Sequence, residues 1–223
     1  MIRKRTFFFV IIAVALILVL GGIINPHLDL RLLALTPKIL KYKSLIQKYA
    51  VKEDVDSRLI CALIAQESGF DEKAKSAVGA QGLTQLMPTT AKELGVKDPL
   101  DAEQNIAGAA RYLHMLYHAF PKSTPDHRHR LVLASYNGGL GRVRDAQDIV
   151  RHQQHANPLL REPVRAALSQ LTTQDAPIHK KVWESGVPPH GYFDGFNETL
   201  AYVDRVMHYY GRICFYGDVL FFL

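Results

Sequence analysis

Apolar residues recur at helical spacing along most of the chain after residue 50, and this pattern predicts a mainly α-helical domain. Asp56 or Ser57 can cap the first of these helices, and Asp101 can cap a later, longer one. Proline and glycine residues mark several of the other predicted ends. The predicted helices run over about 57–69, 88–95, 101–120, 126–136 and 197–210.

Other stretches carry a weaker pattern. Residues 26–44 are expected to form a connecting segment between the N-terminal run and the domain, with a helix that starts near Pro37. Residues 70–87 are loop-like and could contain a short irregular β element. Residues 144–195 are polar and form an expected insertion with two helices, broken at Pro158 and at Pro188. We therefore expect one domain over residues 45–212, followed by an apolar tail at 213–223.

The first 25 residues have the pattern of a membrane segment. A basic start, Arg3 to Arg5, precedes nineteen uncharged residues from Thr6 to Ile24, which as a helix would reach about 28 Å. The run is long for a secretory signal, and no small-residue cleavage site follows it, so an uncleaved anchor is favoured over a cleaved signal. The basic flank predicts that the rest of the chain faces outward, in the periplasm.

The net charge and the cysteine content exclude few classes of protein. The formal net charge is +6, and removing Arg3, Lys4 and Arg5 leaves +3 for the remainder, which suits an anionic polymer or merely a solvated surface. Two cysteines are too few for a disulfide framework. Cys61 lies in an apolar run and is expected to pack as a small hydrophobe, while pairing with Cys214 stays open.

One carboxylate stands out from the helical pattern. Glu67 continues the apolar stripe of Ile60, Leu63 and Ile64 by one turn, which would direct its carboxyl toward the interior or the floor of a cleft. Burial there would favour the neutral acid and raise the pKa, as the general acid of a glycosidase requires. The alternative is that Glu67 is simply the polar end of a helix near its cap.

Four blocks of sequence, in order over about residues 45–210, resemble the catalytic domain of the soluble lytic transglycosylase (SLT) family. Thr84, where methionine is common, and Ser135, where alanine is usual, are modest departures that remove no reacting group. The blocks are Gln66–Phe70 with Gly79–Pro88, Asn105–Leu113, Ser135–Val143 and Glu198–Val203.

This resemblance implies a lysozyme-like fold: a helical domain with a small irregular β part and a long cleft for glycan. It implies that Glu67 is the catalytic acid and base. Residues that would hold the site or line the groove are Ser68, Gln85, Met87, Tyr136, Asn137 and Tyr202.

The activity that the resemblance implies is cleavage of the β-1,4 bond between N-acetylmuramic acid and N-acetylglucosamine in peptidoglycan, with a 1,6-anhydro end as product. It needs neither a metal nor another cofactor. The motif blocks contain no second carboxylate with an obvious role, although ordinary glycosidases use two. A hydrolase of the same fold and a non-catalytic wall-binding scaffold are the alternatives.

The expected partners are glycan strands and the inner membrane, with no role for nucleic acid. A small domain on an anchor is also compatible with work in a secretion or conjugation machine. The sequence does not choose between that role, wall remodelling and lysis, nor between exo and endo cleavage.

Overall fold

The computed structural model describes residues 29–153 and 156–216, and these residues are almost entirely helical. In chain order the α-helices of this part are α1 Leu30–Lys52, α2 Ser57–Glu67, α3 Pro88–Glu93, α4 Ala102–Ala119, α5 Pro125–Gly138, α6 Leu140–His152, α7 Arg161–Leu168, α8 Ala176–Val182 and α9 Phe196–Tyr216, with a 3₁₀ turn at Thr173–Asp175 before α8.

Helix α2 lies at the centre of the domain. Every residue from Leu59 to Ala65 is buried, so this helix is apolar on all sides rather than on one stripe. Helix α9 packs against it along its length, and α1 and α4 cover its other sides. Asp56 caps α2 by accepting the N–H of Arg58, as the sequence predicts. The two termini of α2 are therefore fixed by the helices around it.

Helix α1 is a larger element than the sequence indicates. It begins at Leu30, well before Pro37, and Pro37 lies inside it. An interior proline removes one backbone hydrogen bond, but packing outweighs that cost here because Leu32, Ile39 and Ile46 are almost fully buried. The stretch read as a connecting segment is thus part of the core from Leu30 onward.

The loop between α2 and α3 contains the small β part, which is reduced to two isolated bridges. Gln81 pairs with Lys75 on one side and with Leu86 on the other, and no strand forms in the described residues. Gly82 has a φ of +77°, and a Cβ there would lie 2.1 Å from the carbonyl oxygen of Pro99. Only glycine allows the loop to approach the chain before α4 so closely.

Residues 140–195 hold more helix than expected. In the described part of this segment, three α-helices and the 3₁₀ turn replace the two predicted helices, because short polar segments here are stabilised by tertiary packing rather than by their own periodicity. Asp145 of α6 is buried and accepts hydrogen bonds from both the backbone N–H and Nδ1 of His190, at 2.9 and 2.8 Å. This contact fastens the segment before α9 to α6.

Helix α9 continues to Tyr216, past the predicted end at about 210 and into the expected apolar tail. Cys61 is buried, and both Cys61 and Cys214 are free thiols. Within the described residues, no helix has the length and apolar character needed to cross a bilayer. The predicted anchor at 1–25 lies outside those residues.

Candidate active site

Glu67 is the last residue of α2, and its carboxylate faces α9. Tyr202 of α9 is buried and donates its hydroxyl proton to Glu67 Oε1 over 2.7 Å. The two residues are 135 positions apart in the chain, and the packing of α9 along α2 brings them together. Two residues that the family resemblance assigns to the site are thus joined by a direct hydrogen bond.

Burial governs the acidity of Glu67. Loss of solvent raises the pKa of its carboxyl to about 7, although the hydrogen bond from Tyr202 and the positive charge of Arg205 both act to lower it. Near neutral pH the group can therefore hold or release a proton at similar cost. That is the property required of one residue that acts first as an acid and then as a base.

Tyr136 of α5 forms the opposite side of the site. Its hydroxyl donates to the carbonyl oxygen of Thr84 over 2.9 Å, and its ring packs on Tyr112 with centroids 5.2 Å apart. Burial raises the pKa of Tyr136 well above its usual value, and the negative charge of Glu67 raises it further. Tyr136 thus lies within electrostatic reach of Glu67 but hydrogen-bonds to the loop.

Ser68 links the end of α2 to the same loop. Its Oγ donates to the carbonyl oxygen of Leu83 over 2.8 Å. The neighbouring carbonyl, that of Thr84, is the one that Tyr136 holds. Because the serine follows Glu67 directly, this bond fixes the position of the end of α2 relative to the loop.

A buried pair beneath the loop was not singled out by sequence. Asn105 Oδ1 accepts from both the backbone N–H and the hydroxyl of Thr84, at 2.9 and 2.7 Å. The Asn105 amide donates to the carbonyl oxygens of Gln81 and Pro99. A fully buried asparagine inside the apolar stripe of α4 was the available signal, because such groups persist only with every hydrogen bond satisfied. Thr84, noted as a departure, is thus a structural member of the site.

The remaining predicted residues lie around this centre with different exposures. Gln85 adopts a left-handed backbone, φ +49°, and its amide donates to the carbonyl oxygens of Ala74 and Gly82, so the side chain braces the loop. Met87 caps α3 and is 41% exposed. Asn137 is exposed, and its Oδ1 accepts the hydroxyl proton of Thr199 over 2.6 Å. Thr199 is a further buried polar residue that the sequence interpretation missed.

Arg205 was also missed by the sequence interpretation. It lies one turn after Tyr202 on α9, and among the described residues it is the charged group that acts on the pKa of Glu67. No second carboxylate of the described chain has such an effect.

A buried carboxyl with a pKa of about 7, bonded to one tyrosine and within electrostatic reach of another, can give and take a proton near neutral pH. The sequence model of the transglycosylase SLT domain family matches residues 44–158, about half of the chain and the part that contains Glu67 and Tyr136. The chain belongs to this family.

Its similarity to individual proteins points the same way. It is 39% identical over 181 residues to the membrane-bound lytic murein transglycosylase F of Shewanella halifaxensis, an alignment that covers 81% of this chain and 36% of the relative. It is 38% identical over 172 residues to the protein of the same name from Desulfosudis oleivorans, covering 76% and 36%. The chain spans about a third of the length of these relatives.

Solved structures of lytic transglycosylases share the fold, which is mainly helical and lysozyme-like. The inactive mutant of Slt from Pseudomonas aeruginosa gives a TM-score of 0.53 at 24% identity, covering 80% of this chain and 24% of that one. The 70-kDa soluble lytic transglycosylase of Escherichia coli gives 0.50 at 26% identity, covering 80% and 25%. The expected fold class is confirmed at this level, and the glycan cleft remains a proposal.

Proposed function

We propose that this protein is a lytic transglycosylase that cleaves the β-1,4 bond between N-acetylmuramic acid and N-acetylglucosamine in peptidoglycan. The observation that carries the proposal is the single carboxyl of Glu67, whose pKa burial raises to about 7 beside the hydroxyl of Tyr202. The names of the relatives, which are lytic murein transglycosylases, support the same reaction.

In the proposed reaction Glu67 acts twice. The protonated carboxyl gives its proton to the glycosidic oxygen as the bond from that oxygen to C1 breaks. The carbonyl oxygen of the substrate's own N-acetyl group stabilises the positive charge at C1. Ionised Glu67 then takes the proton of the C6 hydroxyl while that oxygen bonds to C1, which closes the 1,6-anhydro ring and returns Glu67 to its starting state.

Among the described residues no carboxylate contributes to the pKa shift of Glu67, which is compatible with an internal nucleophile. The C6 hydroxyl belongs to the sugar being cut, so its effective concentration at C1 is far above that of an external group. No residue then has to activate water. Neither a metal nor another cofactor takes part in the proposed steps.

The other predicted residues take supporting roles in this proposal. Tyr202 orients the carboxyl of Glu67, Ser68 and Gln85 hold the loop that forms the floor, and Tyr136 forms the opposing wall. The exposed side chains of Met87 and Asn137 face solvent, where they can contact the glycan. The substrate is a glycan strand lying in a groove over these residues.

We place the domain in the periplasm, attached to the inner membrane by residues 1–25. The uncharged run after a basic start supports an anchor, and the two relatives described above are named membrane-bound. Membrane attachment would hold the enzyme within reach of the wall. Fractionation of cells expressing the full chain, with carbonate washing and protease protection, tests this placement.

The test of function is mass spectrometry of the fragments that the detergent-solubilised full chain releases from purified sacculi. The expected products end in 1,6-anhydro-N-acetylmuramic acid, and Glu67→Gln should release none. Fragments with reducing ends would establish a hydrolase instead. Binding to sacculi with no fragments from either protein would establish a wall-binding scaffold.

A further inference from the structure

Helix α1 carries positive charge along one side. Its sequence contains one arginine and five lysines and no acidic residue. Five of these six cations follow one another at intervals of 7, 3, 7 and 4 residues, a spacing that places them on one face of a helix. All five side chains are exposed, and we call this surface the cationic face of α1: Arg31, Lys38, Lys41, Lys48 and Lys52.

The protein neutralises only part of this charge. Lys41 pairs with Glu72 over 3.2 Å, and Lys48 pairs with Glu103 over 2.6 Å. The face therefore keeps an excess of three positive charges, as many as the net charge of the whole chain beyond its basic start. Within the described residues, three cations of the face form no ion pair: Arg31, Lys38 and Lys52.

Large apolar side chains are exposed beside these cations. Leu30, Leu40 and Val51 are 57%, 49% and 85% exposed. They follow one another at intervals of 10 and 11 residues, close to three helical turns, so they share one side of α1. The buried side of the helix, which includes Ile39 and Ile46, packs in the domain core. Lysines next to exposed leucine and valine suit the interface of a bilayer, where the charge meets headgroups and the apolar groups leave water.

The position of α1 in the chain also favours a membrane as its partner. The uncharged run at the N-terminus ends at Ile24, six residues before Leu30. Six residues of chain span at most about 21 Å. With residues 1–25 anchored as proposed above, α1 begins within that distance of the bilayer.

We infer that the cationic face of α1 docks on an anionic lipid surface, with Leu40 and Val51 at the level of the headgroups. The inference rests on the proposed attachment through residues 1–25. Charge attraction and burial of apolar area act together at such a surface. The docked helix would also hold the proposed catalytic centre near the membrane, because Lys38 donates to the carbonyl oxygen of Gly69 over 3.0 Å, two residues after Glu67.

The test is quenching of a single tryptophan by brominated phosphatidylcholine in nanodiscs that hold the full chain. Trp183 is the one tryptophan of the sequence, so a Trp183→Phe background leaves only an introduced reporter. Leu40→Trp and Val51→Trp place the reporter on α1. Val187→Trp is the matched control, since Val187 is also exposed but lies in the segment that is fastened to α6. Circular dichroism of each variant checks that the helices are retained.

We expect lipid to quench the two α1 reporters about twofold more than the control in nanodiscs that contain phosphatidylglycerol. Omitting phosphatidylglycerol, or adding salt to about 1 M, should lower this ratio toward one, because both weaken the attraction between the cations and the lipid. A charge variant of the face should do the same: Arg31→Gln, Lys38→Gln and Lys52→Gln together. Its control, which should keep the ratio, removes the same charge from exposed lysines elsewhere: Lys122→Gln, Lys180→Gln and Lys181→Gln together.

Equal quenching of the α1 and Val187 reporters, in nanodiscs that retain the chain, would overturn the docking. A ratio that did not respond to phosphatidylglycerol, to salt or to the charge variant would also overturn it. Reporters that lipid does not quench, but whose emission shifts when sacculi are added, would assign the face to anionic glycan instead. Loss of the chain from the nanodiscs would refute the proposed attachment and the docking with it, whereas docking without release of anhydro ends would refute only the proposed reaction.

Discussion

The two ends of α2 present the same motif with opposite electrostatic outcomes. At the N-terminal end Tyr210 donates to Asp56 over 2.8 Å, and at the C-terminal end Tyr202 donates to Glu67 over 2.7 Å. Both tyrosines belong to α9. A carboxylate and a phenol are thus paired twice along one helix–helix contact.

The surroundings of the two carboxylates decide how they behave. Burial raises the pKa of Asp56, but hydrogen bonds from Arg58, from Tyr210 and from the backbone outweigh it and leave that pKa below its usual value. Glu67 has no such guanidinium bond, so burial prevails and its pKa rises to about 7. Asp56 is held as a permanent anion that stabilises the helix, whereas Glu67 can exchange its proton.

Exchange of Glu67 for glutamine gives the largest expected effect. Glu67→Gln should lower the rate of anhydro-end release from sacculi by about 10³-fold or more, because no described neighbour can supply the proton. Asp56→Asn should keep the chemistry within about tenfold, since the asparagine still caps α2. The account of Glu67 would be wrong if the two variants lost activity equally.

The Glu67→Gln and Asp56→Asn variants should also change the free energy of unfolding in opposite directions. A carboxyl whose pKa is higher in the folded than in the unfolded protein costs stability as pH rises from about 4.5 through 7. The cost for Glu67 is about 3 kcal/mol above pH 7, so Glu67→Gln should raise the free energy of unfolding by about that amount at pH 8 and hardly change it at pH 4.

Asp56→Asn should do the reverse, with a loss of about 1–2 kcal/mol at pH 8, because its stabilisation is present at high pH and fades as acid protonates it. Thermal unfolding followed by circular dichroism, in detergent at both pH values, measures the two changes. If Glu67→Gln raised the free energy of unfolding equally at pH 4 and pH 8, ionisation of Glu67 would not be the cause of the gain.

The two tyrosines provide the next comparison. Tyr202→Phe removes a hydrogen bond that favours ionised Glu67, so the activity should fall about tenfold and the descending limb of the pH–rate profile should move to higher pH. Tyr210→Phe should cost about 1 kcal/mol of stability and leave that limb in place. Both pH–rate profiles are measured from initial rates of anhydro-end release. An equal shift of the descending limb in the two variants would contradict the role given to Tyr202.

The smallest effect is expected at Arg205. Its charge lowers the pKa of Glu67, so Arg205→Gln should move the descending limb slightly upward, in the same direction as Tyr202→Phe. Arg151→Gln should not move it, because Arg151 is engaged with Asp148. A downward shift in Arg205→Gln would show that this cation does not act on Glu67.

Local signals in the sequence were sufficient to predict most helix boundaries. Asp56, one of two candidates, caps α2, Asp101 caps α4, and Pro88 starts α3 as expected. Pro125, which was expected in the loop, is the first residue of α5. The start of α1 could not be predicted in this way, because Pro37 reads as a helix start when the packing of Leu32 is unknown. The number of helices in segment 140–195 was also predicted wrongly, because tertiary packing that the sequence does not reveal stabilises the short helices there.

Some residues of the site could likewise be predicted from the sequence, and others could not. Glu67 could be found from its place on an apolar stripe, and the facing tyrosines entered through family resemblance. Thr84, Thr199 and Arg205 could not, because their roles depend on contacts with residues far away in the chain. Thr84 meets Asn105, Thr199 meets Asn137, and Arg205 acts on Glu67 only through the packing of α9 on α2. Spacing along the sequence carries no information on such contacts.

The pKa of the Glu67 carboxyl can be measured directly. The side-chain carboxyl carbon of Glu67 can be followed by ¹³C NMR in the detergent-solubilised full chain labelled at glutamate, with Glu67→Gln used to assign the signal. We expect this signal to titrate with a midpoint of about 7. A midpoint near 4.5, the usual value for glutamate, would contradict the account.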